Sequence, residues 1–147
     1  MDTSPALVPE LMVEDLARSL RFWVEECGFS VRYARPEEGF AYLELGSAHV
    51  MLDQRGIGRD WVTGRLDPPL GRGINLQIGI PDAEALARRL VRRGAELFLA
   101  PETRWYRTGA QEAGVVQFLV QDPDGYLLRF QSSLGKRPSG TQSEPLA

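Results

Sequence analysis

Residues Gln117 to Gln131 read QFLVQDPDGYLLRFQ, two apolar runs joined by Asp122-Pro123-Asp124-Gly125. Proline presets φ for a turn and glycine supplies a backbone shape that other residues resist, so the stretch predicts a β-hairpin. Side chains alternate along a strand. Val116, Phe118, Val120, Tyr126, Leu128 and Phe130 therefore share one face, and Gln117, Leu119, Gln121, Leu127, Arg129 and Gln131 share the other. One face is greasy and the other mostly polar. A polar face on the closing hairpin of a sheet is a place to look for a ligand.

Working outward, the bulk properties bound the answer. A chain of 147 residues with 43% apolar content can bury one substantial core, or two small similar cores fused together. A net charge of -3, a pI of about 5.2 and arginines interspersed with acids leave no basic footprint for nucleic acid. The lone cysteine, Cys27, has no partner for an internal disulfide and reads as a small buried filler. No basic start followed by an apolar stretch marks export. No run approaches the ~20 apolar residues of a membrane span, so no membrane partner and a cytoplasmic location are expected.

The start of the chain carries a second pattern. Val8 to Val13 (VPELMV) reads as a short strand, Asp15 as an N-cap, and Leu16, Leu20, Trp23 and Cys27 recur at helical spacing, with Phe22 widening the stripe before Gly28 ends the helix. Three strands follow at Phe29 to Tyr33, Phe40 to Leu45 and His49 to Asp53. Gln54 to Gly73 is rich in Gly, Pro and Arg without a sustained period and reads as a connector. Then the pattern returns: a strand at Ile74 to Ile80, a cap at Asp82, a helix through Ala85, Leu86, Arg89 and Leu90, and a stop at Gly94. Aligning Asp15 with Asp82 places Val8 on Asn75 and Gly28 one residue from Gly94, an internal duplication seen by pattern. Leu97 to Ala100 is the next expected strand, and Pro101 to Gly114 an expected polar loop containing RWYR. The expected organisation is a first module over 1–53, a linker over 54–73, a second module over 74–131 and a disordered tail over 132–147.

The run VPELMVEDLARSLRFWVEECGF, its echo INLQIGIPDAEALARRLVRRGAE and the hairpin VQDPDGYLLRFQ together resemble the vicinal oxygen chelate superfamily, which includes glyoxalase, bleomycin-resistance and extradiol dioxygenase proteins. The resemblance spans roughly Leu7 to Gln131. It implies an α+β fold of two tandem βαβββ modules whose curved mixed sheets surround a cleft, usually in a homodimer. It also implies, for the metal enzymes of the family, a His or Glu near the start of each module's first strand and a Glu near the end of its last. Those positions carry Val8, Asn75 and Arg129 here. Valine has no donor atom and a guanidinium repels a divalent cation, so no metal and no cofactor are expected there.

The duplicated pattern places Glu10, Met12, Tyr42, Glu44, His49, Met51, Asp53, Asn75, Gln77, Gln117, Arg129 and Gln131 on the face opposite the core. Unpaired polar groups cost about 1 to 3 kcal/mol each when buried dry, so this face is expected to be wet or ligand-filled. Trp105, Tyr106 and Arg107, with Trp61 in the connector, add stacking surfaces. The ligand-binding set is therefore Glu10, Tyr42, Glu44, His49, Met51, Asp53, Asn75, Gln77, Trp105, Tyr106, Arg107, Gln117 and Arg129. It would bind an amphipathic or cationic aromatic molecule, as the bleomycin-resistance resemblance implies, in a dimer cleft and without metal. Other readings stay open: a solvated sheet face or polar dimer seam, Trp105 anchoring its own loop, or Arg72 and Arg129 clamping an anion. A metal-dependent lyase, isomerase or dioxygenase with displaced ligands among Glu10, Glu44, His49 and Asp53 is the rival class, and a protein retained only for assembly a third. Whether the chain is an enzyme is open at this point. No GxSxG elbow, P-loop or CxxC is present.

Overall fold

The computed structural model describes residues 4–140. The elements in chain order are β1 (Glu10–Val13), α1 (Leu16–Leu20), β2 (Ser30–Arg35), β3 (Phe40–Leu45), β4 (Ala48–Gln54), β5 (Asn75–Gly79), α2 (Ala83–Arg92), β6 (Leu99–Arg107), β7 (Gln111–Gln121) and β8 (Leu127–Pro138). The first helix continues beyond α1 as a π-helical segment, Arg21–Glu26, and a 3-10 turn, Pro36–Glu38, joins β2 to β3. One sheet has the order β1-β4-β3-β2 and the other β5-β8-β7-β6. Adding four to each strand number turns the first order into the second, so the duplication read from capping and spacing is a duplication of topology. The fold is α+β, with two mixed four-stranded βαβββ-type modules.

Local chemistry explains the repeat. Asp15 accepts a hydrogen bond from the Arg18 N–H at 3.3 Å, and Asp82 accepts one from the Ala85 N–H at 3.0 Å, each satisfying a donor that the first helical turn leaves free. Gly28 and Gly94 then turn the chain at φ 92° and 94°, a conformation that favours glycine.

The chain forms two compact units. One runs from the first described residue to Asn75 and includes Gln121–Leu127; the other comprises Leu76–Val120 and the residues from Leu128 onward. The DPDG turn thus belongs to the first unit. There Trp23, wholly buried, donates from Nε1 to Asp122 Oδ2 at 3.1 Å. Asp124 accepts from the Glu14 N–H, from Arg18 Nη2 and from Ser19 Oγ at 3.1, 3.0 and 3.3 Å. These donors make burial of the two turn carboxylates tolerable, since a buried charge without partners costs several kcal/mol. Leu11, Val13, Phe22, Trp23, Phe29, Leu43, Val50 and Leu52 fill the core of this unit. The wider π-helical turn lets the neighbours Phe22 and Trp23 both face inward. In the second unit, Ala83, Leu86, Ala87 and Leu90 of α2 are buried at helical spacing, and Phe118 stacks on Phe130 with ring centroids 5.4 Å apart.

Two expectations are corrected. Trp105, Tyr106 and Arg107 lie not in a loop but on β6, which pairs antiparallel with β7 through Thr103↔Val116, Trp105↔Gly114 and Arg107↔Glu112. The polar composition argued for a loop, but β6 is an edge strand, where polar side chains and the missing N–H of Pro101 are tolerated, and the register shifts between Leu99 and Glu102, around Pro101. Similarly, Ser132 to Pro138 continue β8 instead of starting a tail. Positions 141–147 of that expected tail lie outside the described residues. Among the described residues no helix is long and apolar enough to cross a membrane.

Candidate functional site

Strand pairing assembles a pocket at one end of the first sheet. The parallel pairing of β1 with β4 sets Glu10 opposite Met51 and Met12 opposite Asp53, so Glu10 and Asp53 share a face on neighbouring strands. Antiparallel pairing adds Phe40 opposite Asp53, and Arg35 opposite Phe40. The 3-10 turn contributes Glu38, and the connector contributes Gly58, Arg59 and Trp61. These eight residues line a cavity of about 380 Å³. That volume falls within the range of about 300–1,000 Å³ usual for small-molecule sites.

The charges inside are unevenly matched. Arg35 Nε meets Glu38 Oε2 at 2.5 Å, and its guanidinium lies over the Phe40 ring, 4.1 Å from the centroid. Arg59 lies 5.3 Å from the Trp61 ring centroid. Asp53 is only 7% exposed, yet among the described residues neither its carboxylate nor that of Glu10 has a side-chain hydrogen bond or ion pair. Burial raises the Glu10 carboxyl above its ordinary range, the Asp53 charge raises it further, and Arg35 partly opposes both. Burial likewise raises Asp53, with Asp60 adding to the effect and Arg35 opposing it. An added Cβ at Gly58 would stand 3.3 Å from the Glu38 carbonyl, a tight contact, and 3.6 Å from Asp53 Oδ1, an ordinary one.

Of the residues expected from sequence, Glu10 and Asp53 enter this pocket. Tyr42, Glu44, His49 and Met51 continue along the same face of β3 and β4. Tyr42 Oη and His49 Nδ1 are 2.6 Å apart, His49 Nε2 is 3.5 Å from Glu44 Oε2, and Tyr33 stacks on Tyr42. In the second unit, Gln117 Nε2 donates to Glu102 at 3.0 Å and to Tyr106 at 2.6 Å, and Arg129 donates to Gln77 at 2.8 Å. Trp105 packs over Gly114 with Arg137 4.0 Å from its centroid, so it is an internal anchor of its sheet. Asn75 and Arg107 are exposed, and none of the second-module candidates lines the pocket. Sequence reasoning missed Arg35, Glu38, Phe40, Gly58 and Arg59. Phe40 was within reach, since it has the parity of Tyr42; the others depend on the turn and connector.

The family's metal does not fit the residues present. Val8 offers no donor, and the Arg129 guanidinium at the third position is engaged with Gln77. The displaced set does not gather either: Glu44 and His49 pair with each other, Glu10 and Asp53 line the pocket, and among the described residues no three His, Cys, Asp or Glu side chains are grouped to hold a metal ion.

Comparison with known proteins gives a consistent result. Residues 7–130 match the model of the Glyoxalase/Bleomycin resistance protein/Dioxygenase superfamily. A superfamily member from Vibrio splendidus 12B01 is 39% identical, covering 85% of this chain and 95% of its own, with a TM-score of 0.41. A virulence protein from Salmonella typhimurium (20% identity, 90% and 98% coverage, TM-score 0.66) and TioX from Micromonospora sp. ML1 (21%, 89% and 100%, 0.67) share the fold. No curated protein matches the chain. With the family model spanning both modules, this chain belongs to the glyoxalase/bleomycin resistance protein/dioxygenase superfamily.

Proposed function

We propose that the protein binds a small amphipathic or cationic aromatic molecule in the pocket of its first module and acts by sequestration, in the manner of the bleomycin-resistance branch, without a metal. The observation that carries this reading is Asp53: a carboxylate 7% exposed, facing a cavity beside Glu10 with no cation paired to either. Keeping the buried Asp53 charged beside Glu10 is costly, and a bound cation relieves that cost while Phe40 and Trp61 supply apolar and stacking surface. Tyr42, Glu44, His49 and Met51 extend the same face and would meet the distal part of a longer ligand. A homodimer belongs to the proposal and is read by light scattering.

The test is a thermal-shift and tryptophan-fluorescence titration with cationic aromatic compounds, including bleomycin-type drugs. Binding to the folded chain raises the melting temperature by mass action. Saturable binding that Glu10→Gln and Asp53→Asn each weaken supports the reading. Failure of every cation to bind, or a stoichiometric metal in the purified protein that Asp53→Asn removes, defeats it.

A further inference from the structure

The pocket carries its own sample of the cation it accepts. Both of its aromatic rings are approached by a guanidinium of this chain: Arg35 over Phe40, and Arg59 beside Trp61. A guanidinium is flat, weakly hydrated and able to stack on a ring while its N–H groups point outward in the plane, whereas an ammonium is a compact, strongly hydrated point charge. Arg35 is engaged through Nε by Glu38, and it bears on Glu10 and Asp53 only through its charge, with no ion pair to either. Those two carboxylates come from adjacent strands, share one sheet face and line the same cavity. One planar cation with several in-plane donors satisfies two such acceptors together. Trp61, 73% exposed, leaves ring surface for a second stacked group.

Resting on the proposed cation pocket, we infer that the ligand's charged group is a planar delocalised cation, a guanidinium or amidinium, seated between Glu10 and Asp53 with its flat face toward Trp61.

The experiment titrates the full chain with benzamidine and agmatine against their ammonium counterparts, benzylamine and butylamine, with benzoate as an anionic control, following tryptophan fluorescence and calorimetric heat. The planar cations are expected to bind at least tenfold more tightly than the matched amines. Glu10→Gln, at an exposed strand start, and Asp53→Asn are expected to reduce that preference to within threefold, with circular dichroism showing that each variant is folded. Equal or tighter binding of the amines overturns the inference and leaves the cation pocket standing. Binding of benzoate alone, or of none of the compounds, overturns both.

Discussion

Replacing Trp23 with Phe tests the buried turn network in a way that separates hydrogen bonding from packing. Burial pushes the Asp122 carboxyl up to about 6, with bonds from Trp23 and from the Tyr126 and Asp124 amides pulling the other way and the Asp124 charge adding to the rise. In the unfolded chain an aspartate titrates near its ordinary value of about 3.9. The native state therefore holds the extra proton between those values. Asp122 contributes its stability in full below about pH 4, and that contribution is lost as pH rises through about 6. At ~1.4 kcal/mol per pH unit, the gap corresponds to roughly 3 kcal/mol. Trp23→Phe removes the Nε1 donor 3.1 Å from Oδ2. A bond to a charged acceptor is worth about 1.5–3 kcal/mol and one to a neutral acceptor about 0.5–1.5. The lost ring volume adds about 2 kcal/mol at any pH. Urea unfolding followed by far-ultraviolet circular dichroism should thus show a penalty roughly 1 kcal/mol larger at pH 8 than at pH 4.5. Equal penalties at the two pH values, or a larger one at low pH, would refute the assignment of Trp23 as the donor that holds a charged Asp122.

Other outcomes follow from single contacts. Gly125→Ala forces a side chain into φ 99° and against Pro69, and should lower stability by about 1–3 kcal/mol in the same unfolding assay. Gly114→Ala would put a Cβ 2.6 Å from the Trp105 ring; near-ultraviolet circular dichroism should change as that indole is displaced, with the first-module pocket still titrating normally. Affinity for a cationic probe should fall as pH is lowered, because protonation removes the charges of Glu10 and Asp53. Since both carboxyls are raised, the fall should begin at a higher pH than ordinary carboxylates would give. Calorimetry between pH 8 and pH 5 reads this directly, and a flat profile argues against carboxylate recognition.

Much of the architecture was legible in the linear chain because the signals are local. Asp15 and Asp82 cap their helices through the next few residues, Gly28 and Gly94 end those helices, and DPDG closes a hairpin whichever strands flank it. Parity also placed Glu10, Tyr42, His49 and Asp53 on one face, because alternation along a strand needs no tertiary information. Only the tertiary structure decided which of those residues meet. The order β1-β4-β3-β2 brings Glu10 next to Asp53 across strands far apart in sequence, and the connector folds Arg59 and Trp61 over them. Pairing decided that Trp105 and Arg107 are strand residues, since the ladder to β7 outweighs the polar composition that suggested a loop. Capping and alternation are fixed within a few residues, whereas a pocket depends on register between distant segments, where a slip of one residue turns every side chain to the opposite face.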